Sequence, residues 1–446
     1  MLGEQRIKQI TDKVLSMSEA DQTEVVFFGD TSALTRFANN YIHQNVAEVN
    51  TQVNIRMVVG KKIGVSNTND LSSEGLRKAV EHAATIARFQ LENPDFKSLP
   101  TAEEQGGVSY GTGFVEATAE AAPEMRADGA RAICSLSDEK GFKAAGSFST
   151  GAQELGVANS LGLFSYDTFT VSNLLTVVMG VNSSGYASRT SKDVREIDAD
   201  EVAREAVGKT ERSKDPISVD PGDYTVVLEE YAMGDLVDYL AFMGLSALAV
   251  QEERSFLKTG EKITGSNVTI YDDGYDPRGL PISIDFEGVR KQRVELIKAG
   301  VAGEPVYDSY TAGREPGKRS TGHALPAPNI FGPFPSNLFM EGGSTPKEKL
   351  AEGIERGIWV TRFHYLGVVH PLLTILTGMT RDGTFLIENG EITRPIKNLR
   401  FNQNVLEGWQ NTQFASTTML QKGFIGGSRV PAARIDKFTF ASGTSF

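Results

Sequence analysis

The sequence predicts an α/β (α+β) protein with an N-terminal layered α/β domain and a C-terminal β-rich domain carrying a long apolar helix. Three observations predict it. The first half alternates segments of helical and of two-residue periodicity. A proline-bearing stretch, "SKDPISVDPGDY", interrupts that pattern near residue 215. The second half is a run of strand-like segments parted by tight turns, and glycine supplies 45 of the 446 residues, above the usual ~7%. The division is therefore 1–215 and 216–446, with a linker at 93–107 inside the first part.

Residues 4–18 read as an amphipathic helix, with Ile7, Ile10, Val14 and Leu15 on one stripe. "TEVVFFGD" reads as a buried strand. Val49, Thr51, Val53, Ile55 and Met57 alternate with Asn50, Gln52, Asn54 and Arg56, the period of a half-buried strand. "VGKKIG" is a turn into a further strand, and "LSSEGLRKAVEHAATIARF" is a helix with Leu76, Val80, Ala83 and Ala87 inward. The linker "NPDFKSLPTAEEQGG" holds two prolines and no period. A helix after Pro123, strands through "VSNLLTVVMG" and a helix near 198–211 complete the first part. The order strand, glycine turn, strand, polar connection, helix occurs in "NIRMVVGKKIGVSNTNDLSSEGLRKAVEHA". It recurs in "LLTVVMGVNSSGYASRTSKDVREIDADEVAREAV", which predicts a duplicated ββα unit.

In the second part, "DYLAFMGLSALAVQEERSF" reads as a helix because Leu236, Leu240, Met243, Ala247 and Leu248 recur at helical spacing. "NVTIYDDGYDP", "VRKQRVELIKAGVAG", "FLIENGEITRPIKNLRF" and "ARIDKFTF" read as strands, and Asp382-Gly383 and Asn389-Gly390 as hairpin turns. Residues 311–346 form a long Pro- and Gly-rich segment whose Phe331, Phe334 and Phe339 predict an ordered, docked loop. "PKEKLAEGIERGIWV" reads as a helix after it.

With 40% hydrophobic and 23% charged residues, the chain has the composition of a globular protein with ample core material. The formal net charge of −12 and the lack of a Lys/Arg run argue against nucleic-acid binding, which draws its affinity from cations on phosphates. The longest apolar run, "YLAFMGLSALAV", falls short of the ~20 residues that span a bilayer. "MLGEQRIKQITDK" lacks the apolar centre of a secretory signal, and the single cysteine, Cys134, suits a reducing compartment. The expected location is the cytoplasm.

The chemistry-bearing residues are scattered. None of the five histidines forms a His-x-x-x-His pair on one helical face. His364 and His370 point apart on a helix and stand about 20 Å apart on a strand; the bland reading is a polar loop before Pro371. His82 reads as a helix histidine. His43 and His323 lie in polar surroundings, where a groove role and a surface role both stand open. "YDDGYD" lacks the alternation of a calcium loop and reads as a turn at a strand end. "GREPGKRS" lacks the spacing of a phosphate loop. Cys134 sits on an apolar helix face, the setting of an inert thiol. No self-contained catalytic constellation emerges.

Three stretches carry a resemblance. "SALTRFANNYIHQNVAEVNTQVNIRMVVGKKIGVSNTNDLSSEGL", "ERSFL" with the later "DFEGVRKQRVELIKAGV", and "TGMTRDGTFLIENGEITRPIKNLRF" resemble, in order and over nearly the whole chain, the TldD/PmbA family, whose PmbA branch is also called TldE. The resemblance implies a zinc-dependent peptidase, assembled from TldD and TldE subunits, that digests unfolded peptides and trims certain leader peptides. The TldD-type subunit holds zinc with a His-Glu-x-x-x-His helix and a cysteine near the C-terminus. Here Leu240 and Leu245 stand in the two histidine positions and Ala241 in that of the glutamate. Ile425, in "KGFIGGSRVPAARI", lies close to the place of the cysteine. The chain therefore resembles the TldE-type subunit, with no metal or catalytic residue of its own and zinc expected only in a TldD-like partner.

Three readings follow. The favoured one is a TldE-like subunit that pairs with a TldD-like one and helps enclose its peptide-binding cavity, with strand edges open to peptide by β-addition. A second is a stand-alone homodimeric peptide- or protein-binding module. A third is a peptidase with an unconventional site at His364, His370 or Asp382. Candidate substrate or partner contacts are His323, Phe331, Phe334, His364, His370 and Arg381.

Overall fold

The computed structural model describes residues 1–108 and 113–444. Helix α1 (Glu4–Ser16) leads into three strands, β1 (Gln22–Ala38), β2 (Tyr41–Val59) and β3 (Lys62–Thr68), and then α2 (Ser73–Phe89). The short α3 (Glu116–Ala119) precedes α4 (Pro123–Glu139), which leads into β4 (Lys143–Asn159), β5 (Phe164–Met179), β6 (Ser184–Ser191) and α5 (Ala199–Arg212). The strands form one antiparallel sheet in the order β3-β2-β1-β4-β5-β6. That order is symmetric about the β1–β4 pair. The repeated unit is one strand and one helix longer than the ββα unit read from the sequence, namely α-β-β-β-α.

The period-two pattern decides which face is which. Odd-numbered Val25, Phe27, Val53, Ile55 and Met57 pack with Ile7, Ile10, Leu76 and Val80 of the helices. Across β1–β4 the same face continues as Phe37, Phe148, Leu174 and Val178 under α4 and α5. Cys134 is buried there, and burial raises its thiol pKa. The opposite face of the sheet carries Val26, Leu155 and Val157, which pack on Ile284 and Phe286 from the second half. The 93–107 segment is docked as well: Phe96 and Leu99 pack on Val58, and Gln105 bridges to Val289.

The second half begins with β7 (Gly222–Leu228), α6 (Glu230–Gly244) and α7 (Ala247–Gln251). It continues with β8 (Ile270–Asp272), β9 (Val294–Lys298), β10 (Val301–Ala302), α8 (Ser309–Gly313) and β11 (Asn337–Met340). Then come β12 (Arg356–His370), β13 (Ile375–Glu388), β14 (Glu391–Pro395), β15 (Leu399–Asn404), α9 (Val405–Gly408), β16 (Thr412–Lys422) and β17 (Gly427–Gly443). Pairing runs β7–β12–β13–β15–β17, and β17 pairs with β7 again, so these five strands close into a ring. The ring encloses Phe363, Phe401, Phe438 and Phe440 with mutual ring contacts of 4.6–6.0 Å. Helix α6 packs along β12 and β17.

Four expectations are corrected. Among the described residues there is no long apolar helix. The chain bends at Leu245 and Ser246, which pair with Val306 (Val306 N to Leu245 O 3.1 Å, Ala247 N to Val306 O 2.9 Å), and that pairing splits the segment into α6 and the short α7. The predicted helix over "PKEKLAEGIERGIWV" is a single 3-10 turn at Lys347–Lys349 followed by β12. Gly353 at φ +74° ends the turn, and the Ile358–Trp359–Val360 run pairs as strand. Asp382-Gly383 is no hairpin but an irregularity inside β13, whereas Asn389-Gly390 does turn β13 into β14. Finally, His364 and His370 lie on β12 and not in a loop.

Buried charges join the two halves. Arg56 Nη2 donates to Glu24 Oε2 at 2.6 Å and to Glu287 Oε1 at 2.9 Å. Lys209 Nζ donates to Glu205 Oε1 and Glu229 Oε2, both at 2.7 Å, and Trp359 Nε1 donates to Glu229 Oε1 at 2.7 Å. Burial alone would raise the Glu229 pKa, but Lys209 and Lys347 hold it down to about 2.

Candidate functional site

Helix α6 has two faces with different tasks. Leu240, Ala241 and Leu245, the positions expected from the resemblance to fall on the metal motif, are almost wholly buried and belong to the main core with Leu236, Phe256 and Val430. The positions outside that apolar core are Asp235, Asp238, Tyr239 and Phe242, with Asp238 buried under the 423–428 turn. Phe242 keeps 50% of its surface exposed, which for a phenylalanine on an otherwise core helix marks an uncovered contact.

Three other segments converge on this outer face. The turn between β16 and β17 approaches closely enough for Phe424 N to donate to Asp238 Oδ2 at 3.1 Å, and Ser428 Oγ donates to Asp238 Oδ1. Gly423 permits this approach, since a Cβ there would stand 2.8 Å from Asp238 Oδ2. The far end of β12 is fastened by Tyr239 Oη, which donates to Leu366 O at 2.7 Å. The segment 325–334 brings Leu325, Phe331 and Phe334 alongside. Together they line an open apolar cleft of ≈ 320 Å³ with Tyr239, Phe242, Phe424 and Ile425. Tyr239 and Phe424 meet edge to face at 5.2 Å, and Phe242 and Phe331 lie 6.4 Å apart. Tyr365, Val369, Leu372 and Leu373 at the β12–β13 turn are also exposed, and the Pro371–Leu373 turn there packs near α6.

Two acids of α6 lie close to these aromatic positions in sequence, Asp238 holding the Phe424 and Ser428 end of the 423–428 turn. Burial raises the Asp235 carboxyl to about 7, helped by the neighbouring Asp238 charge and opposed by Arg362. Burial raises Asp238 to about 6 against its two hydrogen bonds. Neither acid was singled out in the sequence. Their i,i+3 spacing on an otherwise apolar helix was the available signal.

The sequence-predicted candidates divide. Phe331 and Phe334 do line the cleft. His323 is neither at the surface nor in a groove. It is buried, with Nε2 2.8 Å from Asp272 Oδ1 and Nδ1 2.9 Å from Thr321 Oγ1, and burial together with Lys291 lowers its pKa. A buried acid at the end of a strand gave no sign of this pairing in the sequence. His364 is half-buried beside Tyr365, and burial, with Arg381 and Arg362 near, lowers its pKa. His370 is exposed and accepts from Leu373 N at 3.3 Å, capping the turn that follows. The two histidines stand six residues apart along β12. Asp382 is held by Arg362, whose Nε lies 2.7 Å from Oδ2, and Arg381 is exposed beside it.

A zinc ion needs nitrogen, sulfur or oxygen donors at about 2 Å. Leu240, Ala241, Leu245 and Ile425 offer none, and the first three face the core, so these positions do not fit the metal. Among the described residues no group of three His, Cys, Asp or Glu side chains is placed to hold one. The arrangement suits apolar contact with a second molecule.

Comparison with known proteins places this geometry. Residues 221–442 match the PmbA/TldA metallopeptidase C-terminal domain, and residues 23–87 match PmbA/TldA metallopeptidase domain 1. Uncharacterized protein MJ0231 of Methanocaldococcus jannaschii is 33% identical over 39% of this chain and 42% of its own length. Metalloprotease PmbA of Escherichia coli O157:H7 is 29% identical over 36% of this chain and 34% of its own. The chain thus aligns with about two fifths or less of these curated relatives' length. The crystal structure of TldE from Thermococcus kodakarensis superposes with a TM-score of 0.88 at 20% identity, covering 98% of this chain and 100% of that one, which shows a shared fold. The chain belongs to the TldD/PmbA metallopeptidase family.

Proposed function

We propose that this chain is the TldE/PmbA-like subunit of a zinc peptidase acting on unfolded peptides, working in the cytoplasm with a TldD-like partner that carries the metal. The observation that carries the reading is the two-faced helix α6. Its motif positions are core leucines and alanine, while its outer face builds an open aromatic cleft, with the exposed apolar β12–β13 turn packed near the same helix. Exposed apolar surface of this kind marks an interaction site. Aromatic side chains such as Phe242, Phe331 and Phe424 are enriched at the cores of interfaces. In this reading the partner covers the cleft, and the two chains enclose the space where peptide is cut. The chain itself supplies walls and contacts and takes no proton or metal step.

The experiment is co-expression with a TldD-like subunit. A stable one-to-one complex that hydrolyses unfolded peptide, with no hydrolysis by this chain alone, is expected. A stable homodimer that ignores the TldD-like subunit overturns the reading in favour of a stand-alone binding module.

A further inference from the structure

The N-terminal sheet has an open strand edge whose hydrogen-bonding groups can be assigned from the hairpin register. Strand β2 runs from Tyr41 to Val59, but β3 pairs only with Val53–Val59. The hairpin closes through Gly60-Lys61, with Gly60 at φ +62°, the geometry of a two-residue turn with glycine first. The closing pair, Val59 and Lys62, therefore exchanges hydrogen bonds, and alternate residues of β2 turn their N–H and C=O toward β3. The β1–β2 register runs without a slip from Val58 to Gln44, so the alternation holds through the unpaired part. Asn45, Ala47, Val49 and Thr51 thus direct N–H and C=O outward, and none of these groups has a partner among the described residues. The stretch 44–52 also lacks the proline, the lysine and the bulge that commonly blunt such edges.

Beside this edge lies a cleft of ≈ 650 Å³ lined by Asp30, Asn50, Gln52, Asn67 and Asn69. Even-numbered residues of β2 share its side of the sheet, which adds Glu48 next to Asn50. An added strand would continue from the end of β3 and drop alternate side chains into this acidic, amide-lined space. A second copy of the chain fits less well. In the register that uses all four outward residues, Glu48 of one copy falls directly opposite Glu48 of the other, and like charges so placed repel.

We infer that the β2 edge over Asn45–Thr51 binds an extended peptide segment as an added antiparallel strand, with a basic side chain of that segment facing Glu48 and Asp30. This deepens the peptide-handling reading above and rests on it. Main-chain hydrogen bonds give such binding its tolerance of sequence, and the acidic cleft gives it a preference for charge.

The test uses the full chain and fluorescein-labelled ten-residue peptides of alternating threonine and lysine, read by anisotropy. N-methylation of every second residue in one parity should weaken binding at least tenfold, and methylation in the other parity should leave it within about twofold. Val49→Pro removes one outward N–H without touching the β1 pairing and should weaken binding at least tenfold. Glu48→Lys should reverse the preference for the lysine peptide over its threonine–glutamate counterpart, which also covers the case of a misfolded proline variant. Equal losses in both methylation parities overturn the proposal. So does a homodimer of the chain alone whose Asn45, Ala47, Val49 and Thr51 amides are already protected from exchange. If a complex with a TldD-like subunit cleaves peptides equally well with Val49→Pro and Glu48→Lys, the edge is overturned while the subunit reading stands.

Discussion

Helix α6 offers a contrast between neighbouring residues that tests what each face does. Leu240 is fully buried in the main core, and Phe242, two residues on, is half exposed in the cleft. Leu240→Ala removes buried methyl groups and leaves a cavity between α6 and the strand ring. Such truncations cost 2–5 kcal/mol, and the tight packing here predicts about 3 kcal/mol. Phe242→Ala gives up only the buried half of a ring, predicting about 1 kcal/mol or less. Urea unfolding followed by tryptophan fluorescence suits the comparison, because both tryptophans, Trp359 and Trp409, are buried in the C-terminal half. Leu240→Ala should lower the midpoint clearly and leave partner affinity nearly intact at temperatures where the variant is folded. Phe242→Ala should leave the midpoint almost unchanged and weaken the complex with a TldD-like subunit at least tenfold. A variant pair with these effects exchanged would refute the assignment of the two faces.

Two further outcomes follow from buried charge. Asp235 has its pKa raised to about 7 from 3.8, so its contribution to stability is fully present below about pH 4 and is lost as pH rises through 7. Asp235→Asn should therefore match the parent at pH 4 and exceed it by about 2 kcal/mol at pH 8, the full shift of about 4 kcal/mol being reduced by partial exposure. Parallel pH–stability curves for the two proteins would contradict this. Arg56→Leu strands Glu24 and Glu287 between the two halves and should cost about 3 kcal/mol at pH 8. The loss should shrink at pH 5, below the Glu24 pKa of about 7, where that carboxyl is neutral. A loss independent of pH, read by the same urea titration, would argue that Arg56 acts through packing.

The helices α1, α2 and α5 and the strand at 49–57 were legible because one face of each is apolar at a fixed period. The closed ring of strands was not. Its closure depends on β17 pairing with β7 more than two hundred residues away, as in Ile435 opposite Val226, and no local pattern encodes that. "EGIERGIWV" misled because charged helix formers precede a strand, and tertiary pairing of Ile358–Val360 with β7 and β13 overrides local propensity. In the cleft, Phe331 and Phe334 were legible as aromatics out of place in a loop. Asp235 and Asp238 were hidden because their surroundings come from the distant 423–428 turn and from Arg362. His323 was misread for the same reason: its partner Asp272 is fifty-one residues away in sequence.

The central claim is that this member of a metallopeptidase family leaves metal chemistry to a partner. Elemental analysis of the purified single chain after incubation with zinc and desalting, alongside a peptide-hydrolysis assay with and without chelator, tests it most directly. The account predicts far less than one zinc per chain and no chelator-sensitive hydrolysis. One tightly held zinc per chain, with hydrolysis abolished by chelator, would contradict it.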